Sequence, residues 1–181
     1  MTLQTLRLNE NYMTNDYIKY SLLFVICVLT QALIFNYVIL FKVAIPIVFI
    51  YFIIRLPIQT KLSWVFTLSF LLGLFVDIFS DTPGVNALSC TLIAALRRPI
   101  YFAYMAKDDI TVRLVPSVSA MGVVAFAKYL ITFVIIYCFL AFTIEYFSFA
   151  NVKSIVVLTI SSTLLTSIIL FSADCLIPSK S

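Results

Sequence analysis

The chain has 181 residues, of which 63% are hydrophobic and only 11% charged, whereas an average soluble domain is ~45–50% apolar and ~25% charged. A soluble domain of this size has too little interior to hide so much apolar surface, and the net charge of +4 is spread over segment ends, with no patch suited to nucleic acid. Histidine is absent, which excludes Ser-His-Asp chemistry, His-ligated zinc and HExxH proteolysis.

A membrane-crossing helix needs roughly 20 mainly apolar residues, so the composition predicts an all-α membrane protein whose spans pack as one bundle. Met1 to Asp16 is polar and carries Glu10 and Asp16. It lacks the basic region and short apolar stretch of a signal peptide and reads as a cytoplasmic N-terminus. Residues 17–177 form the six-span transmembrane domain. Span 1 runs from Tyr17 to Phe35, with a tight turn at Asn36. Span 2 runs from Tyr37 to Leu56, with Lys42 snorkelling outward and Pro46 as a kink. Leu56 to Lys61 is a short polar loop. Span 3 covers Leu62 to Ser80, and Asp81-Thr82-Pro83-Gly84 is a turn by composition.

Span 4 begins at Val85 and meets Arg97-Arg98-Pro99. The aromatic piece from Ile100 to Met105 suits the membrane interface, so span 4 is expected to bend at Pro99 and finish along the surface. Ala106-Lys107-Asp108-Asp109 is the most polar loop. Span 5 runs from Leu114 to Phe142, Glu145 to Lys153 is an outer loop, span 6 runs from Ile155 to Ile177, and residues 178–181 are a cytoplasmic tail. Orientation follows from the distribution of Lys and Arg. Of the 12 such residues, this topology leaves only Lys42 and Lys153 outside and Lys128 within a span, so both termini are placed in the cytoplasm.

An ionisable side chain at membrane depth is costly and marks a functional site by default; Asp77 in span 3 is one. Ser69, Gly73, Asp77 and Ser80 fall on one helical stripe, and small residues let helices approach closely in lipid, so Asp77 is expected to face protein. Lys128 is the other ionisable group well inside a span. Asp77 lies 16 residues beyond Lys61 and Lys128 lies 15 beyond Arg113, which at 1.5 Å per residue puts both at roughly 23 Å. The matched depth predicts a buried Asp77–Lys128 pair joining spans 3 and 5.

In the turn, Asp81 and Thr82 are expected to cap the first amides of span 4, with Pro83 and Gly84 setting the backbone ahead of Asn86. Thr159, Ser162, Thr163 and Thr166 give span 6 a polar packing face. Arg97 and Arg98 are read as an inner-face topology anchor that could also meet anionic headgroups or an acidic partner. Cys27, Cys90, Cys138 and Cys175 show no disulfide or CxxC pattern and read as small buried hydrophobes. No phosphate loop, metal cluster or nucleophile–base pair appears, and no cofactor is expected.

The segment Gly73-Leu74-Phe75-Val76-Asp77-Ile78-Phe79-Ser80-Asp81-Thr82-Pro83-Gly84-Val85-Asn86-Ala87-Leu88 resembles the signature of the rod shape-determining protein MreD family: G-L-x-x-D-hydrophobic, a small-residue turn with Pro and Gly, then N/H-A-L. Gly73, Asp77, Pro83, Gly84, Asn86 and Ala87 match by position. Ser80-Asp81 departs where many members carry glycine. The order of apolar segments is similar too. The resemblance implies a non-catalytic protein of the bacterial inner membrane, part of the peptidoglycan elongation machinery beside MreC, MreB, RodA and a penicillin-binding transpeptidase. It also implies a six-span fold similar to the substrate-binding subunits of energy-coupling-factor vitamin transporters. The alternative is a subunit of such a transporter, with an outer pocket lined by Asp77, Asn86 and Lys128.

Overall fold

Helices follow the apolar runs wherever no Pro or Gly interrupts them, and the interruptions decide the architecture. In a computed structural model the described residues are 18–35, 44–105, 115–145 and 152–176; every element among them is a helix. The expected turn at Asn36, Lys42, the loop at Ala106–Asp109, the N-terminus Met1–Asp16, most of the Glu145–Lys153 loop and the tail Pro178–Ser181 lie outside the described residues.

The helix α1 spans Ile18–Ile34, and its last turns widen to π geometry over Gln31–Phe35. Short α2 is Tyr51–Arg55, α3 is Leu62–Ser80 and α4 is Val85–Tyr104. One turn, α5, covers Val118–Met121; α6 is Val123–Glu145 and α7 is Val152–Leu176. Three of these, α3, α6 and α7, are long and apolar enough to cross a membrane.

The expected span 2 is not one helix. Pro46 has no N–H and disfavours helical geometry in the residue before it, and the chain has no regular secondary structure from Ile45 to Val48 before turning into α2. Irregular backbone at membrane depth is tolerated only where protein satisfies it, and here side chains do so. Ile45 N–H donates to Ser162 Oγ and Ile47 N–H to Thr166 Oγ1, each at 3.0 Å. Gln31 brackets the proline, its Nε2 donating to the Pro46 carbonyl at 3.1 Å while its Oε1 accepts from Val48 N–H at 2.9 Å. The polar face of α7 therefore serves a non-helical stretch of backbone, not a neighbouring helix alone.

From Phe49 to Ile54 every side chain is buried. A segment apolar on all sides belongs at the centre of a bundle, and α2 runs there. Around it, α3 packs on α4, and α6 lies against both α4 and α7. Phe126, Tyr129, Phe133 and Tyr137 form a buried spine on α6. The outward faces are apolar instead: Trp64, Ile78, Val124, Leu164 and Ile168 are all more than half exposed. Hydrophobic side chains fill the interior and also cover the outward faces, while Gln31, Ser69, Asp77, Ser162, Thr166 and Asp174 are buried inside, the arrangement a hydrocarbon solvent selects.

Two further boundaries differ from the sequence reading. Span 4 does not leave the bundle at Pro99: α4 continues through the proline to Tyr104. Tyr101 is 1% exposed and packs edge-on against Tyr129, and the Tyr104 hydroxyl meets Thr132 Oγ1 at 2.8 Å, so aromatic contacts with α6 hold the last turns in place. Span 5 does not run as one helix from Leu114. Ser117 caps the single turn α5 through the Ala120 N–H, Gly122 breaks it at φ +80°, and α6 starts at Val123.

Candidate functional site

The α3–α4 hairpin is built on close approach. On α3, Ser69 and Gly73 are buried on the same stripe as Asp77. A Cβ added to Gly73 would overlap the Asn86 carbonyl oxygen and the Ala87 Cα, so glycine is what lets the backbones of α3 and α4 touch. Between them, Asp81 ends α3 in the left-handed region at φ 54° and Gly84 opens α4 at φ 82°. Glycine adopts both conformations freely, while an aspartate tolerates the first at some cost; this is where the chain departs from the glycine of the resembled motif.

That turn aims the start of α4 at Asp77, which is 4% exposed. Asp77 Oδ1 accepts from Thr82 Oγ1, from the Asn86 N–H and from Asn86 Nδ2, and Oδ2 accepts from the Ala87 N–H, all at 2.9 Å. The Asn86 amide also donates to Thr82 Oγ1 at 3.1 Å, and its Oδ1 accepts from the Tyr137 hydroxyl at 2.6 Å. Tyr137 in turn stands edge-on to Phe49 at 5.8 Å. One carboxylate thereby ties α3 to α4, with Asn86 and Tyr137 extending the tie to α6 and the central segment. Helix N-termini favour negative charge, and charge-assisted bonds to backbone N–H groups are the strong kind. Asp77, not Asp81 or Thr82, caps α4.

The expected Asp77–Lys128 pair is not formed. Asp77 is filled by four donors from residues 82–87, while Lys128 is exposed on α6 and lines a different recess, with Tyr104 and Gly122. The depth count failed because α6 begins at Val123. Lys128 is five residues into its helix, near the end of the bundle opposite Asp77, and Tyr137 occupies the level assigned to it.

A buried ion pair does exist elsewhere. Asp174 on α7 lies 3.2 Å from Arg55 Nη1, with the two side chains 2% and 13% exposed. Its Oδ1 also accepts from the Tyr51 hydroxyl at 2.9 Å and its Oδ2 from the Val118 N–H at 2.8 Å, joining α2, α5 and α7. The sequence reading missed it, although Asp174 satisfies the same rule that singled out Asp77: an acid inside an apolar run.

Arg97 is buried inside the protein, whereas Arg98 stays exposed. Arg97 is 1% exposed and donates through Nη2 to the carbonyls of Leu56 and Pro57; Arg98 reaches the Ile58 and Thr60 carbonyls. Together they hold the loop after α2. Three cysteines are buried, and Cys175 is exposed instead.

A recess of about 290 Å³ opens beside the hairpin, lined by Gln31, Ile45, Phe49, Thr82, Asn86 and Glu145 among others. The Gln31 and Asn86 amides are already engaged with protein. Asn86 of the expected outer pocket lines this recess; Lys128 does not. Among the described residues no group of three His, Cys, Asp or Glu side chains gathers as a metal site would require. No family model matches the chain, and no curated protein or solved structure matches it.

Proposed function

We propose that this chain is a non-catalytic, multi-pass subunit of the bacterial cell-elongation machinery, seated in the inner membrane with both termini cytoplasmic, and that it binds MreC alongside MreB, RodA and a penicillin-binding transpeptidase. The observation that carries the reading is the closure of the motif on itself. Gly73 admits the Asn86–Ala87 backbone, and Asp77 clamps it. Each residue type at those positions has a physical task, and the product is a rigid hairpin whose outward side chains Ile78 and Leu88 are exposed toward another membrane protein. Six crossings arise if α1, the non-helical segment with α2, and α4 traverse the bilayer with the three long helices, an arrangement similar to that of vitamin-transporter binding subunits.

The test is depletion in the source bacterium. Rods that round up, with MreC crosslinking to photoreactive residues placed at Ile78 or Leu88, support the reading; unchanged shape and no crosslink reject it. The recess beside Asn86 favours a second reading, a binding subunit for a small molecule. Tight copurification of a small molecule, lost on substitution of Gln31 or Asn86, would establish that reading instead.

A further inference from the structure

Lys128 is the one basic residue of α6, and its surroundings are apolar and open. Val124 one turn before it is 67% exposed, and Ile131 and Ile135 beyond it are 48% and 40% exposed. The same face therefore carries exposed aliphatic side chains with a single ammonium among them. At this end Arg55 is paired with Asp174 and Arg97 and Arg98 donate to backbone carbonyls, while Lys61, at the start of α3, is exposed. No hydrogen bond or ion pair engages Lys128 among the described residues.

The recess that Lys128 lines has a volume of about 530 Å³ and is bounded by Ala103 and Tyr104 at the end of α4 and by Met121 to Ala125 where α5 gives way to α6. Tyr104 shares its hydroxyl with Thr132, one helical turn from Lys128, and that hydroxyl keeps capacity for a second hydrogen bond. Five residues of helix raise the Lys128 Cα only about 8 Å above the start of α6, a depth from which a lysine stem returns its head to the interface.

We propose that this recess is a binding site for an anionic phospholipid. The headgroup phosphate pairs with Lys128 Nζ and accepts from the Tyr104 hydroxyl, and an acyl chain lies along Val124, Ile131 and Ile135. The inference rests on the chain lying in a bilayer and not on the identity of its protein partners. Lys128 has no partner among the described residues, its head reaches the level of the interface, and the phosphate of a neighbouring lipid is the anion that a membrane supplies at that level. The aliphatic side chains continue the site into hydrocarbon, which a soluble phosphate cannot use.

The experiment is native mass spectrometry of the full chain in mild detergent, titrated with phosphatidylglycerol or phosphatidylcholine of identical acyl chains. One lysine near a membrane surface contributes enough to predict about fivefold preferential retention of phosphatidylglycerol at the first site. Lys128→Ala should abolish the preference, Lys128→Arg should keep it, Val124→Trp should fill the recess and lower retention, and Lys61→Ala, at another exposed lysine, should leave it intact. Equal preference in wild type and Lys128→Ala would overturn the proposal. Displacement of the lipid by millimolar inorganic phosphate would also overturn it, since the site would then read a free anion. So would a loss, in Lys128→Ala, of dimers instead of lipid, which would make this face an interface between copies.

Discussion

The Ala87 backbone N–H donates to Asp77 Oδ2 at 2.9 Å, so the acid in the third helix is answered by the peptide chain of the fourth and not by a cation. The bond exists only because Gly73 lets the two backbones meet and because the 81–84 turn directs the first amides of α4 back at α3. It explains why an aspartate survives in an apolar run without a counter-ion: four donors and a helix N-terminus share the cost of its charge.

Asp77→Asn should therefore be far from neutral. An asparagine offers one acceptor oxygen where the site has donors on both sides, so its NH2 group must face either Ala87 N–H or the Asn86 and Thr82 donors. A buried donor left without an acceptor costs about 1–3 kcal/mol, and Asp77→Ala, which orphans several, should cost about 3 kcal/mol or more. Unfolding in mixed detergent, followed by the fluorescence of the lone Trp64, reads both. Lys128→Ala measured beside them should fall within about 0.5 kcal/mol of wild type, as exposed positions do.

Gly73→Ala tests the close approach directly. The added methyl meets backbone at Asn86 and Ala87, not a movable side chain, so α3 and α4 must separate. Overpacking of this kind costs about 1–3 kcal/mol, and separation also lengthens the bonds to Asp77. The expected signature is a loss of stability together with faster hydrogen exchange at the Asn86 and Ala87 amides. A variant with slow exchange at both would show that the hairpin does not depend on this contact.

What the sequence reveals here depends on whether the partner of a group is a side chain or a backbone. The runs that become α3, α6 and α7 can be read from hydropathy because nothing interrupts them after their first turns. The burial of Asp77 is readable from its spacing with Ser69 and Gly73. Its partners are not, since backbone amides have no letter in the sequence and become available only through the turn. Hydropathy also cannot separate a buried helix from a buried non-helical segment; Pro46 is the one local sign that residues 45–48 unwind. The depth match between Asp77 and Lys128 failed for a related reason. It counted helix from Arg113, whereas Pro116, Ser117 and Gly122 hold the start of α6 to Val123.

A double-mutant cycle separates the ion pair that exists from the one expected. Asp174→Ala leaves Arg55 largely buried without its carboxylate and the Tyr51 hydroxyl without its acceptor, which should cost about 3–5 kcal/mol. Adding Arg55→Ala should cost less than the sum of the singles, with a coupling of about 1–3 kcal/mol. The same cycle on Asp77 and Lys128 should give additivity within about 0.5 kcal/mol. Coupling in the second cycle with none in the first would reverse the assignment of charges made here.

The unwound segment gives the last test, because its backbone relies on side chains of other helices. Thr166→Val keeps the shape of the side chain but removes the acceptor for the Ile47 N–H. That N–H then lies buried with nothing to bond, at a cost of about 1–3 kcal/mol. Thr159→Val is the matched control: the Thr159 hydroxyl is buried and makes no hydrogen bond among the described residues, so its replacement by a methyl should be neutral or stabilising. Hydrogen exchange locates the effect. In Thr166→Val the amides from Ile45 to Val48 should exchange faster while those of α4 keep their protection, because Asp77 holds the hairpin independently of α7. If both threonine variants behave alike, the hydroxyl of Thr166 is not what holds the non-helical chain in place.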